Sequence, residues 1–257
     1  MSPLTKTFLE TKTMTKRNLW KSFNNPDRLM ENLIAPIMTM LIFVYVMGGA
    51  MSYAMDGNYV NFVVPGILLV SIGQSSTSTA ISVSTDIKKG IVDRFRAMPI
   101  TTFSFLSGHV IESVIRTMFS FVVTLMVAYL VGFRPEASWV SWLLALSLIF
   151  LFSITITWIA VAYGLAVKGP EGSSSLNLFV MLFIYLSSGF IPIDTLPRPL
   201  QIFAEHQPMT FLIEAIRRLL LNHPTENYVW LAFIWCLGLL VVASVLAFQL
   251  YKRKVNK

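Results

Sequence analysis

His109, Glu112 and Arg116 fall at i, i+3 and i+7 on one helical face inside an apolar stretch, and their types could support proton transfer or ion pairing. Glu112 precedes Arg116 by four residues, the favourable order for a pair along a helix. A charge at bilayer mid-depth costs about 2.5 to 3.5 kcal/mol on insertion scales, so a functional role is the default suspicion. Depth favours a structural or gating pair over a proton relay. The apolar run from Val114 to Phe133 is long enough to cross by itself, which puts His109 and Glu112 at the inner mouth and Arg116 within snorkelling distance of it.

A second set of polar groups lies upstream. Ser71, Gln74, Ser75, Ser76, Thr77, Ser78, Thr79 and Ser82 crowd one apolar segment, where such side chains either bond to neighbouring helices or line a polar route. Gln74, Ser75 and Ser78 are the candidates for a substrate path, joined by Asn177, Met181 and Ser188 on a later segment. Close packing of small residues explains the same pattern without a route, and both readings stand.

Enzymatic chemistry fails on inventory. The chain contains no G-x-x-x-x-G-K-[ST] phosphate loop and no H-E-x-x-H metal motif. His109, His206 and His223 all fall in or near polar boundaries, leaving Ser188-Gly189 without a base at membrane depth. Cys236 is the only cysteine, so no disulfide or thiolate cluster forms within the chain, and no metal site is expected. A secondary carrier would show inverted repeats or a deeply buried acid, and neither is apparent.

The elements that must position these residues follow from composition. Of 257 residues, 55% are hydrophobic and 13% charged, about half the roughly 25% charged share of soluble domains. With about 20 residues needed per crossing, six segments fit: 33–53, 59–84, 105–131, 139–167, 176–193 and 228–251. The expected fold class is an all-α integral membrane protein with six transmembrane helices, forming a single domain over 1–257. Residues 1–31 read as an N-terminal interfacial amphipathic helix, with Leu4/Phe8 and Leu19/Phe23 at i,i+4 spacing. Pro26 suits a helix start after Asn25, and Pro36 predicts a kink in the next helix. Residues 194–226 contain two short amphipathic pieces, about 198–205 and 209–221, read as an outer re-entrant or surface segment.

Fifteen of the twenty Lys and Arg fall in the N-terminal segment, the loop after the second span, the loop after the fourth and the C-terminal tail. Both termini are therefore expected in the cytoplasm, in a multi-pass plasma-membrane protein of bacterial or archaeal type. The net charge of +7 reports orientation and a docking surface, with no nucleic acid implied.

Several motifs in order resemble type-two ABC exporter permeases, in particular the daunorubicin and multidrug-resistance type. They are Asn25-Pro26-Asp27 and Pro36, Pro65-Gly66, the loop 86–99 with Gly90, Asp93-Arg94, Arg96 and Pro99, and Gly132-Phe133-Arg134-Pro135-Glu136. The most specific are Ser187-Ser188-Gly189-Phe190-Ile191-Pro192, Gln207-Pro208-Met209-Thr210 and Glu214-Ala215-Ile216-Arg217. Thr102 and His109 stand where that family often has arginine. The resemblance implies a permease without its own ATPase site, dimerising with a second permease (a second copy or a sister subunit) above two ABC ATPase subunits that hold ATP and Mg. Asp86, Gly90, Arg94, Arg96 and Pro99 would belong to a cytoplasmic coupling helix, and Phe190 and Pro192 to an outer gate. The implied activity is export of an amphipathic or hydrophobic drug, antibiotic or lipid-like compound; a cell-surface glycan or lipid-linked polymer, or a carrier or channel, are the alternatives.

Overall fold

The computed structural model describes residues 3–55, 58–90 and 102–255, and every regular element among them is helical. Helix α1 (Pro3–Phe23) is followed by α2 (Pro26–Leu41), a π-helical stretch (Ile42–Met47) and α3 (Gly48–Met55). Then come α4 (Tyr59–Lys88), α5 (Thr102–Val131), α6 (Trp139–Ala166) and α7 (Gly169–Tyr185). A 3-10 turn (Ile193–Thr195) leads to α8 (Arg198–His206), α9 (Pro208–Leu220) and α10 (Tyr228–Val255).

Among the described residues, four helices are long and apolar enough to cross a membrane: α4, α5, α6 and α10. Helix α4 is the central stave, in contact with α2, α5, α6, α7 and α9. It carries Pro65 without interruption, and Asn58 caps its start by accepting a hydrogen bond from the Val60 amide at 3.1 Å. Chain crowding is greatest where glycines face it. A Cβ on Gly66 would lie 2.8 Å from the Gly189 carbonyl oxygen, and one on Gly164 would lie 2.5 Å from that of Ala80. Only hydrogen at those positions lets the backbones come this close, so the contacts of α4 with α6 and with the turn after α7 are written in glycine.

The first and fifth expected spans take different forms. Residues 26–55 run through three helical pieces, of which the apolar part, Asn32–Val46, is shorter than the four long spans. The helix continues through Pro36, and the widened turns come later, at Ile42–Met47. Helix α7 starts seven residues before the expected boundary and stops eight before its end. Pro170 in its first turn presets the helical φ, and Glu171 suits the positive dipole end. Its serines look like loop residues by hydropathy, yet Ser173, Ser174 and Ser175 donate to the carbonyls of Gly169, Glu171 and Gly172, which hides their polarity inside the helix. At the other end, the Ser187 hydroxyl donates to the Ile184 carbonyl and accepts from the Gly189 amide at 3.1 Å, turning the chain at the point where Gly189 meets Gly66.

Helix α1 lies along α5 with a polar face inward: Met14, Thr15, Asn18 and Ser22 are buried, whereas Phe8, Trp20 and Phe23 are exposed. Gly108 makes room for Met14, since a Cβ there would sit 2.6 Å from the Met14 Cβ. The exposed rings form the apolar side of an amphipathic helix.

Candidate functional site

Arg116 organises a buried network at the inner part of the bundle. Its Nε donates to Glu112 Oε1 at 2.9 Å, its Nη1 to the carbonyl and hydroxyl oxygens of Ser75 at 2.7 Å each, and its Nη2 to Thr79 Oγ1 at 2.8 Å. Both charged side chains are 3% exposed. The guanidinium therefore turns into the bundle toward α4, and the snorkelling geometry expected from sequence is replaced by full internal satisfaction. Thr117 also donates to Ser75 Oγ at 3.0 Å, and Thr79 continues to Ser113 at 2.7 Å and thence to Thr157 at 3.1 Å. One line of hydroxyls thus stitches α4, α5 and α6. From α1, Ser22 donates to Glu112 Oε1 at 2.6 Å. Desolvating a charge pair costs several kcal/mol per ion, and the hydrogen bonds to every face of the guanidinium offset that cost.

A second ion cluster ties α1 to the end of α4. Asp86 accepts from Arg17 and from Lys21 (3.3 Å), with His109 Nε2 3.5 Å away. Asp86 is buried, so its carboxylate is engaged within the chain and is not displayed for docking. Gly90 closes the helix end, its amide reaching the Ile87 carbonyl at 3.0 Å. Arg94, Arg96 and Pro99 lie outside the described residues. A polar cavity of about 590 Å³ opens here, lined by Asn18, Lys21, Asn25, Lys89, His109 and Glu112 among others.

The candidate path residues are divided. Ser75 is fully buried and committed to Arg116, while Ser78, half-buried, donates to Asn32 at 3.1 Å. Gln74 is half-buried on the same helix. On α7, Asn177 and Met181 are half-buried, and the Met181 methyl faces Gly73 of α4. Ser188 lies past α7 at the opposite end of the bundle.

At that end Phe190 is 2% exposed, its ring 4.4 Å from Phe43 and 4.9 Å from Tyr185 between centroids. Its carbonyl accepts from the Tyr59 hydroxyl at 3.0 Å. Pro192 is half-buried and accepts from the Thr195 amide at 3.1 Å. Arg217 binds all of this together: it donates to Phe62 O (3.0 and 3.1 Å), to Ser188 O (2.6 Å) and to Glu214, with its guanidinium 3.8 Å from the Phe62 ring centroid. Burial pushes the Arg217 pKa down from its ordinary value, and Glu214 opposes that shift.

Sequence reasoning placed Arg217 only on the polar face of a short amphipathic piece and counted Arg17 and Lys21 only as topological charges. The usable signals were the i,i+3 spacing of Glu214 and Arg217 and the i,i+4 spacing of Arg17 and Lys21. Nothing in the sequence named Phe62 and Ser188 as partners of Arg217, or Asp86 as the partner of Arg17 and Lys21.

Four long apolar helices around a satisfied buried charge network define a multi-pass membrane protein whose polar groups hold helices together. The chain belongs to the ABC-2 type transporter family, whose profile matches residues 9–221, and is thereby a type-two ABC permease. It is 27% identical over 247 residues to the daunorubicin resistance ABC transporter permease protein DrrB1 of Streptomyces coeruleorubidus, covering 93% of this chain and 86% of that one. It is 24% identical over 242 residues to the probable doxorubicin resistance ABC transporter permease protein DrrC of Mycobacterium tuberculosis, covering 92% and 86%. A putative transport permease, ycf38, of Porphyra purpurea is 22% identical over 83% of this chain and 74% of its own.

Proposed function

We propose that this chain pairs with a second permease to form the path by which an amphipathic or hydrophobic compound leaves the cytoplasm or inner leaflet, driven by two separate ABC ATPases that hold ATP and Mg. Residues 26–55 and α7 supply the two further crossings that complete six, with both termini in the cytoplasm. The drug-resistance names of two relatives support the substrate class.

The observation that carries the mechanism is the clamp of α1 onto Asp86, four residues before Gly90 and the loop that follows. A force applied to that loop passes to α4 directly and to α1 through Arg17 and Lys21, and from α1 to Glu112 through Ser22. Arg94 and Arg96 make charge-assisted contacts with the ATPase, and Phe190 with Pro192 form the outer gate. Arg94→Glu, at normal membrane insertion, is expected to weaken co-purification of the ATPase and ATP-driven export together. Unchanged association and export would overturn the mechanism.

A further inference from the structure

We infer that the cavity between the C-terminal ends of α4 and α10 and the turn from α6 into α7 binds the headgroup of an anionic phospholipid. It holds about 300 Å³, and its walls bring together three lysines from three separate elements: Lys88, Lys168 and Lys254. Among the described residues no acidic side chain lines it. Placing it at the inner leaflet rests on the topology proposed above; the basic cavity does not.

Charge sets the sign of the ligand. Lys254 lies seven residues after Ala247 and eleven after Ala243, so it shares the face of α10 that those buried alanines turn into the bundle. It is half-buried there. Neither Lys254 nor Lys168 forms an ion pair among the described residues. Lys88 is 3.9 Å from Glu171, but that side chain is 81% exposed and water screens the contact. The Lys88 ammonium lies over the turn, 3.9 Å from where a Cβ on Gly169 would stand. The chain thus gathers three positive charges and supplies almost nothing to balance them.

A separate feature of α10 makes the anion a lipid. Val242, Leu246, Leu250 and Lys254 follow one another at steps of four residues and form a single ridge along the helix. Val242 and Leu246 are exposed and Leu250 is half-buried, so the ridge passes from the outer side of α10 to the cavity. From Val242 to Lys254 it rises about 18 Å at about 1.5 Å per residue, close to the roughly 15 Å of hydrocarbon in one leaflet. An acyl chain laid along this ridge brings its phosphate to Lys254. Ile87 and Val167 add apolar wall at the cavity, which a chain-bearing headgroup uses and a free anion does not. Each ammonium offers three N–H donors to phosphate oxygens, and basic pockets between helices on the cytoplasmic side suit such headgroups.

The test uses the purified full chain in detergent, without ATPase, titrated separately with phosphatidylglycerol and phosphatidylcholine of identical acyl chains and read by native mass spectrometry. Phosphatidylglycerol is expected to fill the first bound position about tenfold more tightly. Lys88→Gln, Lys168→Gln and Lys254→Gln together are expected to reduce that preference to about twofold. Lys12→Gln, Lys16→Gln and Lys252→Gln together remove the same charge from exposed positions and are expected to keep most of it. An equal loss in both triple variants would overturn the inference in favour of diffuse surface charge. Displacement of the lipid by excess inorganic phosphate would overturn it in favour of a small-anion site. A second measurement needs no substitution: in nanodiscs of the parent chain, replacing phosphatidylcholine by phosphatidylglycerol is expected to slow acetylation of Lys254 severalfold relative to Lys252, and an unchanged ratio would count against the site. Because neither ATP nor flux enters, failure here leaves the export reading standing, and a failure of export leaves the lipid result standing.

Discussion

Arg116 shows how a single charge is made tolerable inside a membrane bundle. Its donors go to a carboxylate on its own helix and to three oxygens on α4, so neither the charge nor the carbonyl of Ser75 is left to hydrocarbon. Removing one member should therefore cost more than removing the pair. Arg116→Met leaves Glu112 buried with only the Ser22 hydroxyl, and a loss of about 3 to 5 kcal/mol is expected from an uncompensated buried charge. Arg116→Met combined with Glu112→Leu is expected to recover most of that loss, read as the thermal unfolding midpoint in detergent. A double variant as unstable as the single one would show that the helix contacts depend on the hydroxyl bonds and not on charge balance. The i,i+4 pair itself is plain in the sequence, because both members sit on one helix. The partners on α4 are not, since which helix faces Arg116 depends on packing between segments about 40 residues apart, and no periodicity encodes that.

Helices in this fold are positioned by close approach as much as by apolar burial. Four of the long spans stand out in the sequence because length and hydropathy decide them, and the two short helices before α10 are visible from proline spacing. The ends of α7 are not, because its first turn is polar by composition while its serines satisfy themselves on its own carbonyls. The contact of α6 with α4 is equally invisible: it depends on Gly164 meeting the Ala80 carbonyl. Gly164→Leu must push the two helices apart, since the added Cβ alone would lie 2.5 Å from that oxygen. Gly238→Leu on α10 meets nothing within 4 Å and serves as the matched control. The expected result is a lowered unfolding midpoint for Gly164→Leu with Gly238→Leu near the parent, the difference reflecting overpacking of about 1 to 3 kcal/mol or more. Equal midpoints would mean that α6 can slide without cost.

At the scale of the whole molecule, the distribution of Lys and Arg and the path of the helices make one joint statement about topology. The clamp at Asp86 and the turn at Phe190 lie at opposite ends of α4, and basic residues gather at the first of these. Helix α10 is long enough to cross by itself, so His223 before it and Lys252 near its end must face opposite sides. The location of the N-terminal segment then decides whether the number of crossings before α10 is odd or even. An odd number, five if both residues 26–55 and α7 cross and three if neither does, leaves Lys12 on the Lys252 side; if only one of them crosses, Lys12 falls on the His223 side. Cys236 is the only cysteine and is buried, so a Cys236→Ala background carrying Lys12→Cys, His223→Cys or Lys252→Cys gives one reporter at a time. A membrane-impermeant maleimide is expected to label position 223 in intact cells and positions 12 and 252 only after lysis. Labelling of 12 together with 223 would remove one of the two short crossings, and with it the arrangement in which α1 and the loop after α4 share the ATPase side.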